Sequence, residues 1–235
     1  MSVHRAMAGF IGPKDIFRNP ESLFRQFEKT DGDKSPFDLV LTKAGSDFSV
    51  MGMHFKLGIY EHQSAGAIAG IQNLLSENLD GILAPNDDVD NIKKIKITAY
   101  EPAFGIIGDP AKRNPTTRQS ADHSMVYIIA SLLRKAFHKY ESHLKENHDI
   151  EQLWKQLMLL PKDYGEEALF SETKRKIMEK IEFEHGGKEF DDQYPKGIPT
   201  AVEITNRNGD VFESGLVMFP GGHAANEDVS LTNIL

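Results

Sequence analysis

Hydrophobic positions recur along this chain with two different periods, and the changes between them mark out its elements. In "QSAGAIAGIQNLLSENL", residues 63–79, Ala65, Ile68, Ile71, Leu74, Leu75 and Leu79 fall at helical spacing and predict an amphipathic helix. Gly66 and Gly70 inside it cost helix propensity, so they predict a close approach of another backbone. "DNIKKIKITAY" alternates Ile95, Ile97 and Ala99 against charged or polar neighbours, as a half-buried strand does. Residues 121–137 return to the helical period, with Ser120 as the N-cap and a buried helix from Met125 onward. "IEQLWKQLMLLPKD" predicts another helix, stopped by Pro161, and "SETKRKIMEKIEFEH" a charged helix that turns into a strand near Ile181. Two alternating runs flank Asn208-Gly209, which predicts a tight hairpin turn at positive φ. The sum is a mixed α+β fold with strands at both ends of a helical middle.

The opening third is less periodic. "GFIGPKDIFRNPESLFRQF" reads as a Gly/Pro turn and a short helix capped around Asn19-Pro20, with Leu23, Phe24 and Phe27 on one face. "EKTDGDKSPFD" is a polar connector, and "SDFSVMGMHFKLGIYEH" is extended with breaks. Composition adds exclusions to this pattern. A content of 40% hydrophobic and 26% charged residues over 235 positions is that of a globular protein with a real core. A formal net charge of −8 argues against a nucleic-acid partner, and no apolar run approaches the length of a membrane span. The first residues lack the charged start and continuous apolar stretch of a secretory signal. With no cysteine, there is no disulfide, no thiolate nucleophile and no cysteine-ligated zinc or iron–sulfur cluster. The chemistry rests on oxygen and nitrogen groups.

Two helix starts gather such groups. In "TTRQSADHSMVY", Arg118, Asp122 and His123 crowd the expected first turn, where unpaired N–H groups and the helix dipole favour a carboxylate ligand and a neutral histidine. The alternative is that Asp122 only complements the dipole. Lys56, between Phe55 and Leu57, and His62 stand at the entrance to the helix over 63–79. The two starts could converge on a polyanion, or they could be unrelated caps beside a snorkelling lysine. His138, His143 and His148 read as a solvated face. His54, beside Phe55, reads as a core or surface residue or else a site residue, and His223 in "FPGGHAANE" as part of a flexible segment after two glycines.

"GFIGPKDIF", "FKLGIYEHQSAGAIAG", "ITAYEPAFGIIGDPAKRNPTTRQSADHSMVYIIASLL" and "FPGGHAAN" together resemble the MmgE/PrpD family. The resemblance implies an α+β lid domain over residues 49–219, preceded by a remnant of an all-helical domain and connector (1–48) and followed by a return segment (220–235). It covers the C-terminal half of the family pattern. It implies a hydro-lyase converting 2-methylcitrate to 2-methylaconitate in propionate catabolism, cytoplasmic or in the mitochondrial matrix. It also implies no cofactor or metal, a small tricarboxylate substrate and a homodimer. Two further readings stay open: a non-catalytic fragment that needs a separate N-terminal half, and a cis-aconitate decarboxylase of the same family. Carried over by position, Lys56 and Arg118 would bind carboxylates, and His62, His123 and Tyr127 would transfer or orient protons. The resemblance assigns no role to His54.

Overall fold

The computed structural model describes residues 1–12 and 53–226, and the expected short helix after Gly12, with its connector, lies outside them. The chain divides into two compact units, 1–51 and 52–235. In the first, a short helix α1 (Ser2–Met7) has no buried residue.

The second unit is a four-stranded sheet covered on one face by helices. Helix α2 (Ala65–Ile82) leads into strand β1 (Ile92–Ala99). A helical run follows, comprising a π turn at Pro102–Ile107, α3 (Arg118–Ala121), α4 (Met125–Lys139), a second π turn at Tyr140–Leu144, α5 (Ile150–Leu157), α6 (Glu166–Leu169) and α7 (Glu172–Glu179). It delivers the chain to β2 (Ile181–His185), and α8 (Gly187–Asp191) then precedes the hairpin of β3 (Thr200–Asn206) and β4 (Val211–Val217). The sheet order is β2-β1-β3-β4, with β1 and β2 parallel and the remaining pairs antiparallel. This is the expected α+β architecture.

Alternation in β1 determines which face is dry. Ile95, Ile97 and Ala99 are fully buried beneath the helices. Lys94 and Lys96 point to the open face, where Lys94 pairs with Glu182 at 2.8 Å and Lys96 with Glu203 at 3.0 Å. Such cross-strand charge pairs keep a half-open sheet wet on one side. Helix α4 is apolar on nearly all sides from Met125 to Leu133 and forms the centre of the core, packed on α7 and α5.

The glycines of α2 sit where the helix meets β3. A Cβ on Gly66 would lie 2.5 Å from Thr200 Oγ1 and 3.0 Å from the Ile198 carbonyl oxygen, and one on Gly70 would lie 2.9 Å from Val202 Cγ2. The close approach expected from the sequence is therefore made by β3.

Several boundaries differ from the sequence reading. The helix expected over 121–137 is two helices, because Thr117 caps α3 in a capping box with Ser120, and Ser124 caps α4. The helix expected to stop at Pro161 ends at Leu157, since Met158 is already extended and Pro161 opens a separate 3₁₀ turn. The hairpin is not a two-residue Asn-Gly turn. Asn206 N–H donates to the Asp210 carbonyl, leaving a three-residue loop in which only Gly209 has positive φ, at +91°. The Asn206 side-chain oxygen accepts from the N–H groups of Asn208 and Asp210, which fixes the loop.

Gly66→Ala tests the α2–β3 contact. Alanine favours a helix by about 1 kcal/mol, but here its methyl meets a buried strand. The expected result is a net loss of about 1–3 kcal/mol in urea denaturation. An unchanged or raised midpoint would mean that β3 backs away freely.

Candidate functional site

The site is built around residues 53–64, an extended stretch tied down at three points. Phe55 N–H donates to the Gly222 carbonyl at 2.8 Å. Leu57 N–H donates to the Tyr60 hydroxyl at 3.1 Å. Glu61 N–H donates to the Asp122 carbonyl at 3.0 Å. From there a single 3₁₀ turn, His62–Ser64, feeds α2. Glu61 is its N-cap, and its carboxylate accepts from Gln63 N–H at 2.7 Å and from the Ser64 hydroxyl.

Three histidines from two stretches meet here. The His54 ring stacks on His223 with centroids 3.8 Å apart, and on His62 at 5.9 Å. His223 comes from the segment after β4, held close by its two glycines. Gly222 has φ of +84°, and a Cβ there would run into the Phe55 carbonyl; one on Gly221 would sit 3.2 Å from Leu57 and Trp154. The sequence reading of this stretch as flexible is thus corrected, because the glycines serve close packing. Burial pushes the His223 imidazole down to about 4, helped by the neighbouring His54 and His62. Burial, His54 and Lys56 also hold His62 below its ordinary value. Both rings are neutral near pH 7, beside an exposed Lys56 whose ammonium has no hydrogen-bond or ion-pair partner among the described residues.

The 122–124 corner adjoins this cluster through the Glu61–Asp122 backbone bond. Asp122 and His123 lie between α3 and α4, not in a helix first turn, so the dipole argument made for them from sequence does not apply. The His123 ring is exposed and its Nδ1 pairs with the Asp122 carboxylate. His123 also acts through space on the Glu61 carboxyl. Arg118, at the start of α3, is exposed, with no side-chain hydrogen bond or ion pair among the described residues.

Tyr127 is set apart from the histidines. Its hydroxyl donates to the Asp163 carbonyl at 2.7 Å and accepts from Lys174 Nζ at 2.7 Å. Burial pushes the phenol up to about 12, and it pushes the Lys174 ammonium down to about 8. Among the described residues no hydrogen bond, ion pair or ring contact joins Tyr127 to Lys56, His62 or His123. One ring intervenes: Tyr164 lies 5.7 Å from the Tyr127 ring and donates to the Ile59 carbonyl.

The structure therefore brings together His62 and Lys56, with the His123–Asp122 pair nearby, leaves Arg118 in solvent, and places Tyr127 in the core. It adds His54, His223 and Glu61. The signal for Glu61 was its position directly before the capped turn. The signal for His223 was the glycine pair before it. Only the neighbouring Phe55 marked His54. The three stacked rings lie face to face, so their nitrogens do not point at a common centre, and among the described residues no group of three His, Cys, Asp or Glu is arranged to hold a metal. His138, His143 and His148 make only peripheral contacts, to Asp87, Ser142 and the Leu144 carbonyl.

Glu61 is nearly fully buried, and burial raises its pKa, an effect offset in part by Ser64 and Gln63. A raised carboxyl pKa contributes stability at low pH that is lost as pH rises through the folded value. Glu61→Gln keeps an acceptor for the cap, so its stability relative to wild type should improve from pH 4 toward about pH 7. Glu61→Ala should follow the same pH trend but lie about 1 kcal/mol below Glu61→Gln, because it loses the cap as well. Thermal melts across pH check both, and parallel curves for wild type and Glu61→Gln would contradict the account.

Residues 61–159 fit the model of the MmgE/PrpD C-terminal domain, a span that holds His62, Arg118, His123 and Tyr127 but ends before His223 and begins after His54 and Lys56. No curated protein matches the sequence. Among the described residues no helix is long and apolar enough to cross a membrane. Over residues 61–159, under half of its length, the chain is similar to the MmgE/PrpD C-terminal domain.

Proposed function

We propose that this chain carries the lid side of a hydro-lyase site of the 2-methylcitrate dehydratase type, acting on a small tricarboxylate. The observation that supports this best is the grouping of neutral His62 with Lys56, which has no ion-pair partner among the described residues, at the entrance to α2. Dehydration of such a substrate removes a proton α to a carboxylate and expels a tertiary hydroxyl, so it needs a base that is free near neutral pH. His62 suits that task, since burial, with His54 and Lys56 beside it, holds its proton affinity down. Lys56 suits the carboxylate whose charge grows as the proton leaves. Asp122 orients the His123 ring through Nδ1, leaving the other nitrogen to meet the departing oxygen. Tyr127 acts behind this group by fixing α4 to Lys174 and Asp163, and Arg118 is available to a carboxylate arriving from solvent.

The reading is tested by turnover of 2-methylcitrate across pH. The rate should rise with pH as His62 loses its proton, with an inflection below the ordinary 6.5. His62→Asn should cost about 10²-fold or more in kcat, and Lys56→Ala should also lower kcat, since the charge it meets grows in the transition state. Full activity in His62→Asn would remove the proposed base.

A further inference from the structure

The stacked histidines bind two stretches of chain together, and they do so only in one protonation state. His54 Nδ1 accepts the N–H of Ala224 at 3.1 Å. His223 Nδ1 accepts the N–H of Ala225 at 3.1 Å. An Nδ1 that accepts carries no proton, so both rings are neutral and hold their hydrogen on Nε2. The two rings are also nearly parallel, 24° apart, at 3.8 Å. Together with the Phe55–Gly222 backbone bond, these contacts fasten residues 219–226 onto residues 53–57.

We propose that the His54–His223 pair is a proton-sensitive clasp, which holds the 219–226 strap against residues 53–57 when neutral and releases it when protonated. A proton added to either ring goes to Nδ1 and turns an acceptor into a donor facing a backbone N–H. A proton on each ring sets two like charges face to face. The groups around the pair do nothing to relieve this. From the 53–62 stretch it faces His62 and Lys56, both able to carry positive charge, and from its own strap the Phe219 ring. Trp154 of α5, which packs on Gly221, brings no charge. Among the described residues no carboxylate bonds to any of the three rings. The nearest acid in sequence, Glu61, spends its oxygens on Gln63 and Ser64, and Asp122 pairs with His123.

The two rings divide the work. His54 is exposed, so protons reach it from solvent, whereas His223 is buried and its Nε2 has no hydrogen-bond partner among the described residues. The depressed value of His223 fixes the sign. The unfolded ring takes up a proton near 6.5 and the folded ring only near 4, so the clasp's contribution is complete above about pH 6.5 and lost progressively as pH falls toward 4. The release has a consequence beyond the strap. Phe219, Pro220, Gly221 and Asn226 also line a cavity of about 530 Å³ with Gln72 and Trp154, so a free strap removes one wall of it. None of this depends on the hydro-lyase reading.

Amide hydrogen exchange on the whole chain tests the clasp, with rates corrected for intrinsic pH dependence. Between about pH 8 and about pH 5, straddling the ordinary histidine value, protection at Phe55, Ala224 and Ala225 should fall tenfold or more. Protection at Ile128 and Ile129 in α4 should hold, which separates strap release from global acid unfolding. The double variant His54→Asn/His223→Asn keeps an acceptor oxygen near each Nδ1 but cannot titrate, so its strap should stay protected at about pH 5. Unchanged strap protection in the wild type, or parallel loss in the double variant, would overturn the proposal. If the double variant's strap is already open at about pH 8, ring-nitrogen NMR of the wild type decides. Two neutral Nε2–H rings that open the strap on titration support the clasp, and an Nδ1–H tautomer or a charged His223 at neutral pH refutes it.

Discussion

The contact on which the rest depends is the approach of α2 to β3 at Gly66 and Gly70. With Thr200 Oγ1 and Val202 Cγ2 within 3 Å of where a Cβ would stand, the helix has no freedom to rotate or slide on the sheet. That seat fixes the N-terminus of α2, and hence His62 and Glu61 just ahead of it. It also fixes β3 and its hairpin partner β4, from which the chain leaves toward His223. Two stretches distant in sequence are thereby delivered to one place, where ring stacking becomes possible. The apolar α4 supplies the bulk of the core beneath, and its cap at Ser124 sets the corner that bonds to Glu61.

Charge is handled differently in three parts of the unit. On the open face of the sheet, lysines and glutamates pair across strands in water, where each pair is worth little. In the interior, Lys174 is buried but answered by the Tyr127 hydroxyl and the Asp163 carbonyl, and its ammonium lies over the Tyr127 ring. Around His54, His62 and His223 the groups are basic, and among the described residues no carboxylate bonds to them. An arrangement that leaves basic groups uncompensated stores an affinity for anions or for the loss of protons. Both the proposed tricarboxylate site and the proposed clasp draw on that same imbalance.

The sequence displays the elements whose stability is local. The period of Ile95, Ile97 and Ala99, the spacing of Ile68, Ile71 and Leu75, and the glycines of α2 could all be read directly, since each reports a single packed face. The break at 122–124 was hidden because Thr117, Ser120 and Ser124 are all competent caps, and spacing alone does not say which pair acts. Tyr127 was legible as a buried residue of α4. Its partner Lys174 lies 47 positions away in a helix that reads as charged and solvated, so the direction of the hydroxyl was not. The role of His54 was hidden for the same reason: its partners, at positions 62 and 223, come together only through the tertiary fold. The glycines before His223 looked like slack in one dimension and proved to be clearance in three.

One measurement addresses the central claim that the basic cluster at the α2 entrance is where a tricarboxylate meets this chain. Titration of the isotopically labelled protein with 2-methylcitrate near neutral pH, followed by NMR, maps the contact residue by residue. The account predicts that the largest shifts fall on the rings of His62 and His54, the Lys56 side chain and the amides of residues 61–64, with the Tyr127–Lys174 pair little changed. Shifts centred on Tyr127 and Lys174, or saturable binding that leaves His62 and Lys56 unmoved, would contradict it.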